Sequence, residues 1–439
     1  MLGQRTAFLH KVACGIVSFT WRAAVFAAFW ALPLTASAQD ALRYSLAGEQ
    51  AAQARNQLLE GGSYNLRLGD ARFLADASLT VEANDNVTIS DSGAQGDVIL
   101  RPQVHTAVFW PVTDKNALNF SIGLGYVKYL SLSQYDYLLV APGSELSFDL
   151  FVGDFRFKFF DRFSYTQDPL QNGALSGVGN YGGLDNSAGL NGLWDLDKVI
   201  LTAGYAHQIF IPDQQVFQYL NRSSELFLAR AAFLLSSAIT VGPEATSSLT
   251  TYDHAVLANA DSYSGGAFAQ AKVTPHIALN AHAGYVTYDF QNQGSGGTAS
   301  GKPAPYYVSV GVDHTLNQFI TQSLTGGHEV QLGVFSDFQE LSYARYTINW
   351  NMIRNVGLGT QFFYEHGTYP ATLAQFTGLP QISGSGETYD RVGAAINLSY
   401  HLMQKLTSTL GYRLTFKDSN MPGLGYTQNA VTLGLTYQF

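Results

Sequence analysis

The sequence predicts an all-β chain: a single transmembrane, antiparallel, up-and-down β-barrel of about 18 strands, with 16 the next count. Three observations predict it. Charged residues make up only 13% of the 439 residues, aromatic residues another 13%, and there are 43 glycines. Beyond the N-terminal stretch, no apolar run approaches the roughly 20 residues that a spanning helix needs. The segment from Asn429 to Phe439 alternates: Val431, Leu433, Leu435, Tyr437 and Phe439 are apolar, while Thr432, Gly434, Thr436 and Gln438 are small or polar. Strand side chains alternate faces, so such a segment offers one stripe to lipid and one to a lumen. A soluble domain averages about 25% charged residues. Low charge without long apolar runs means hydrophobicity carried at every second position.

Each element follows in chain order. Arg5, Lys11 and Arg22 precede an apolar run from Ala23 to Leu34, no acidic residue occurs before Asp40, and Ala36-Ser37-Ala38 forms a small-x-small cleavage site. The pattern predicts a secretory signal peptide over residues 1–38, too short in its apolar run to anchor the chain. The sole cysteine, Cys14, falls inside it, so the mature chain has no disulfide, no thiolate chemistry and no soft metal site. Loss of the three cations takes the net charge from −9 to about −12. That balance argues against nucleic acid as a partner, because phosphate binding needs clustered Lys and Arg. Residues 39–70 are expected to form a periplasmic or plug segment. Within it, Leu46 to Leu59 is rich in Ala, Gln, Glu and Leu, which predicts a short helix ending at Gly61-Gly62.

Residues 71–439 are assigned to the barrel. Short turns are expected at Thr113 to Asn116, Gly153-Asp154, Asp195 to Asp197, Ser236 to Ala238, Thr274 to His276, Leu316 to Gln318, Asn351 to Asn355 and Leu402 to Gln404. Longer polar links alternate with them: Asp85 to Gly96, Ser131 to Pro142, Thr166 to Tyr181, Pro212 to Arg222, Thr250 to Asp261, Gln291 to Pro303, His366 to Glu387 and Lys417 to Thr427. Short periplasmic turns and long outer loops are the asymmetry expected of such barrels. The link near Ser336 to Gln339 is too short for its outer position. The strands near Ser223 to Leu235 and Ile277 to Phe290 alternate poorly.

The stretches LTVEANDNVTIS and GDVILRPQVHTAVFWPVTDKNALNFSIGLGYVKYL, with the late YRLTF strand, resemble the β-barrel porin family associated with exopolysaccharide biosynthesis gene clusters. The resemblance implies an outer-membrane barrel that serves polysaccharide export. The terminal aromatic pair Tyr437 and Phe439 resembles the sorting signal of Gram-negative outer-membrane barrels, which implies the barrel-assembly machinery as a partner. Outer-membrane lipid and lipopolysaccharide are the other expected partners, with polysaccharide where the chain serves export.

Candidate chemistry is sparse. No G-x-S-x-G elbow and no HExxH occurs, so neither an enzyme nor a cofactor is expected. His282, His314, His328 and His401 read as wall histidines, and Asp85, Asp91 and Asp97 as a solvated acidic loop. The turn at Gly153-Asp154 sets a register in which residue numbers sum to 307 across the hairpin. Asp149 then faces Lys158 and Glu145 faces Arg162, with Phe148, Leu150, Phe157 and Phe159 on the other side. Charges on the lipid face would cost about 2–4 kcal/mol each near the midplane, which assigns them to the lumen. Arg101, His105, Glu145, Asp149, Arg156, Lys158, Arg162 and Arg413 are the expected pore-lining residues. Reversing Lys158 and Arg162 to Glu is expected to favour cations with little loss of assembly. Three functions stay open: a channel for hydrophilic solutes or exported polysaccharide, a docking component with an occluded lumen, and, behind both, an outer-membrane hydrolase.

Overall fold

The computed structural model describes residues 64–113, 115–291, 302–353, 355–370 and 386–439. The expected signal peptide and the helix from Leu46 to Leu59 lie outside the described residues.

The strands in chain order are β1 (Leu66–Leu68), β2 (Ala71–Asn84), β3 (Asp97–Thr113), β4 (Asn116–Tyr129), β5 (Tyr137–Val152) and β6 (Phe155–Thr166). There follow β7 (Gly183–Asp195), β8 (Val199–Pro212), β9 (Arg222–Leu234), β10 (Ile239–Tyr252), β11 (Asn259–Thr274), β12 (Ile277–Gln291) and β13 (Tyr306–Thr315). The last are β14 (Ile320–Leu332), β15 (Phe338–Ile353), β16 (Val356–Tyr369), β17 (Glu387–Met403), β18 (Leu406–Ser419) and β19 (Tyr426–Gln438). Each of β2 to β19 pairs antiparallel with the next, and β19 pairs with β2, so 18 strands close into a barrel. β1 is a small addition that the sequence pattern did not disclose. It hairpins onto β2 with Leu66 opposite Phe73, continuing the edge where β19 stops.

The eight short turns stand where the sequence put them, between β3 and β4 and then every second connection to β17 and β18. Several outer links shrink. The expected loops Ser131 to Pro142, Thr250 to Asp261, His366 to Glu387 and Lys417 to Thr427 become 130–136, 253–258, 370–386 and 420–425, because the ladders run on past them. In β5 a bulge hides the extra length: register shifts between Val140 and Ser144, with Gly143 at φ 90°. Only glycine takes that backbone conformation without strain, and the bulge breaks the period of two.

The outer face carries the apolar stripe. Val431, Leu433, Leu435, Tyr437 and Phe439 are all exposed on β19 and just beyond it, as are Phe159, Tyr412 and Leu410 elsewhere. On β5 and β6, Phe148 lies opposite Phe159 and Leu150 opposite Phe157. The inner face is built from small residues over which large ones lie flat. A Cβ on Gly266 would stand 2.3 Å from the Tyr307 hydroxyl, and one on Gly284 2.6 Å from its ring. The two glycines therefore make the trough that lets Tyr307 cross two strands to reach Glu244, to which its hydroxyl donates at 3.0 Å.

Candidate functional site

Infolded loops cross the outer mouth of the barrel. In a ring of 18 strands, strands nine apart face one another, and β10 and β19 are such a pair. Tyr252 at the end of β10 and Tyr426 at the start of β19 belong to one buried apolar cluster. Between them lie Ile89 of the β2–β3 loop, Leu175 of the β6–β7 loop, Phe217 and Leu220 of the β8–β9 loop, and Phe335 of the β14–β15 link. The filling thus spans the full width of the lumen. It also explains the short β14–β15 link (333–337): Val334 and Phe335 tuck into this core instead of reaching out to solvent. Tyr219 donates to the Val334 carbonyl at 2.7 Å, and burial pushes its hydroxyl well above the ordinary tyrosine range. It stays a neutral donor.

The β6–β7 loop (167–182) is the member that crosses the lumen. Wall cations on the far side hold its backbone. Arg391 on β17 donates through Nη1 to the Leu170 carbonyl at 2.9 Å. Lys417 on β18 donates through Nζ to the Ala174 carbonyl at 3.0 Å and to Ser176 Oγ at 3.2 Å. Each cation is matched in the wall: Arg391 by Glu365 at 2.6 Å and Lys417 by Glu387 at 3.0 Å. Glu387 also accepts from Ser419 Oγ at 2.7 Å and from the Tyr369 hydroxyl. Gly173 sits against Tyr389, where an added Cβ would come within 2.8 Å of the hydroxyl, so the loop can lie this close only without a side chain there. Glu365, Arg391, Glu387 and Lys417 were missed in the sequence. Glu387 and Lys417 fall at the ends of expected loops, yet Arg391 and Lys417 share the parity of the inward His401 and Arg413. One further two-residue step of the alternation, from Gly393 to Arg391 and from Thr415 to Lys417, reaches both cations.

Among the residues singled out in the sequence, the structure joins Arg101 and Arg413 from opposite ends of the chain. Both reach the unanticipated Glu82 on β2, at 2.7 and 3.6 Å. His105 lies 3.2 Å from Asp76 through Nδ1 and 3.1 Å from Ser121 Oγ through Nε2. On the β5–β6 ladder Asp149 is opposite Lys158 and Glu145 opposite Arg162. The contacts, however, run partly on the diagonal. Lys158 Nζ meets Glu145 at 2.8 Å, beside Arg162 at 2.7 Å, and Asp149 is taken by Arg156 at 3.1 Å. Arg156 thus reaches two residues along from the Phe151 opposite it, a diagonal that long side chains span, and Lys158 reaches four along from the Asp149 opposite it. Tyr437 and Phe439 point outward, ring centroids 5.5 Å apart and edge to face, and the Phe439 N–H donates to the Ala75 carbonyl at 3.1 Å. Of the acids expected in a solvated first loop, Asp97 instead opens β3 and is buried, accepting from the amides of Val98, Ser131 and Leu132. His282 pairs with Glu244 at 3.0 Å.

The clusters share one arrangement. Glu82 is 4% exposed, while Arg101 and Arg413 around it are 27% and 31% exposed. Asp149 is 5% exposed beside Arg156 at 42%, and Glu145 3% beside Lys158 at 13% and Arg162 at 14%. The carboxylates lie recessed on the wall with the cations folded over them. Counted by cluster, one carboxylate stands with two cations, and two carboxylates with three, leaving each a positive excess.

No family model matches this chain, and no curated protein does. Among solved structures it is similar to OccK2 (OpdF) of Pseudomonas aeruginosa in complex with glucuronate, at 10% identity and a TM-score of 0.48, over 85% of this chain and 99% of that one. It is similar to Acinetobacter baumannii OccAB3 at 8% identity and a TM-score of 0.46, over 85% of this chain and 100% of that one. OccK1 (OpdK) of Pseudomonas aeruginosa matches at 12% identity and a TM-score of 0.47, with the same coverage. At 8–12% identity no side-chain role carries over.

Proposed function

We propose that this chain is an outer-membrane channel for small hydrophilic anions, its outer mouth narrowed by infolded loops. The observation that carries the reading is the recessed carboxylates and overlying cations of the inner wall. Although the whole chain is net negative, an ion in the lumen meets guanidinium and ammonium groups first. Rings of Arg and Lys are what favour anions in a pore. The effect is steep because the low-dielectric wall shields these charges less than bulk water would. Export of a polysaccharide, which the family resemblance implies, gains no support from a mouth bridged across its diameter by packed apolar side chains.

The test is conductance of the purified chain in planar bilayers across a KCl gradient. The reversal potential is expected to favour chloride. Arg156→Glu, which reverses the most exposed of these cations, is expected to lower the chloride-to-potassium permeability ratio roughly fivefold, the equivalent of about 1 kcal/mol for a unit charge at close range. A ratio that favours potassium in the unaltered protein would end the anion reading. The apolar filling favours one rival, a barrel that serves as a docking component. A properly folded barrel that never conducts would decide for it.

A further inference from the structure

We propose that the tip of the β6–β7 loop is a staple across the seam where the barrel closes, so that the outer filling and the closure of the barrel are one device. The seam joins β2 to β19, with Ala430 opposite Asn84 and Gln438 opposite Asp76. Its outer end lies between the β2–β3 loop, which leaves β2, and the β18–β19 link, which enters β19. The loop tip bonds to both. Gly177 N–H donates to the Ile89 carbonyl of the first at 2.9 Å, and Ser176 Oγ donates to the Leu424 carbonyl of the second at 2.6 Å. The tip starts from β6 and β7, several strands away around the ring, so these bonds cross the lumen. Nothing about filling the mouth requires it to end on both banks of this one seam.

Beneath the staple the seam has a clasp of its own, and it uses the Asn84-Asp85-Asn86 step. The Asn429 backbone N–H and side-chain amide both donate to the Asp85 carboxylate at 2.7 Å, while Asp85 N–H donates to the Asn429 carbonyl at 3.1 Å. Asn86 donates to the Thr427 carbonyl at 2.9 Å, and Gln428 returns a bond to the Asn86 carbonyl at 2.7 Å. Ile89, which accepts from the staple, is itself part of the apolar filling. The tip can therefore dock only where both banks have already met, and once docked it resists their parting.

The experiment is hydrogen–deuterium exchange of the full-length protein, folded and purified in detergent, comparing wild type with Ser176→Ala/Gly177→Ala. The alanine at 177 is strained, because Gly177 has φ 70°, and it lifts the tip. If the pair fails to assemble, Ser176→Ala alone removes a single hydroxyl. Loss of the Ser176 hydroxyl bond and strain on the Gly177 amide bond are expected to speed exchange on the order of tenfold at the seam amides of β2 and β19, with β12 and β13 unchanged. Seam amides that exchange as in wild type, or a rise shared equally by β12 and β13, would overturn the staple. Amide exchange reads no transport, so a failure here leaves the channel reading standing.

Discussion

Glu145 is the residue on which the charge ladder turns. It is 3% exposed and holds both Lys158 and Arg162. Reversing both cations, which from the sequence alone promises a shift in selectivity with little loss of assembly, would strand three carboxylates together against the wall. Removing the partners of a buried charge costs about 3–5 kcal/mol. The double variant Lys158→Glu/Arg162→Glu is accordingly expected to accumulate poorly as folded, heat-modifiable barrel, whereas Arg156→Glu is expected to assemble better, because Asp149 keeps the Asn119 amide and still has Lys158 opposite it. Comparing the folded fractions of the two on unheated gels decides it. Equal, high yields would mean that Glu145 is better hydrated than its burial implies. The register of this hairpin was legible because Gly153-Asp154 leaves no choice of turn, and a one-residue slip would turn every charge to lipid. Which cation meets which acid was not legible, since the diagonal contacts depend on side-chain reach and on Asn119, which donates to Asp149 at 3.2 Å.

At the scale of elements, the strap from β6 to β7 stands or falls with its anchors on β17 and β18. Lys417 and Glu387 are both fully buried. Lys417→Met removes the bonds to Ala174 and Ser176 and leaves Glu387 without its cation. The variant is expected to show a larger or noisier unitary conductance than wild type, because the strap loses a tether where it is most enclosed. Single-channel recording checks this, and a conductance identical to wild type would show that the apolar core holds the strap unaided. Strands with one polar face, such as β18 and β19, could be read from alternation directly. β9 could not, because its inner face carries Leu226 and Leu228, and Leu226 packs with Phe160 and Ala206 inside the barrel. An apolar inner patch erases the period of two. The filling of the mouth was illegible for a different reason: Ile89, Leu175, Phe217 and Phe335 lie in four separate links, and only the closed ring brings them together.

For the molecule as a whole, two expectations concern its route to the membrane. The signal peptide is expected to be cut after Ala38, and the intact mass of membrane-extracted protein checks this; a mass that retains residues 1–38 would rule it out. Deletion of Phe439 is expected to lower the level of folded barrel sharply, through loss both of the terminal aromatic and of its backbone bond to Ala75. Immunoblotting of outer-membrane fractions against total protein measures it, and an unchanged folded fraction would make that residue incidental. The architecture also bears on how the chain must be handled before it is finished. The bonds that close the ring join Asn84 to Ala430, so nearly the whole barrel has to exist before they can form. Until then the growing sheet has two raw edges, one on β2 and one on whichever strand was added last, each a row of unpaired N–H and C=O groups able to recruit a strand from any neighbouring molecule. Contacts so distant along the chain also form slowly. Among the described strands, the completed ring leaves only the three-residue β1 with a free edge. The hazard is confined to the interval before β19 arrives, and a chain shortened by that one strand should aggregate rather than leave a slightly smaller pore.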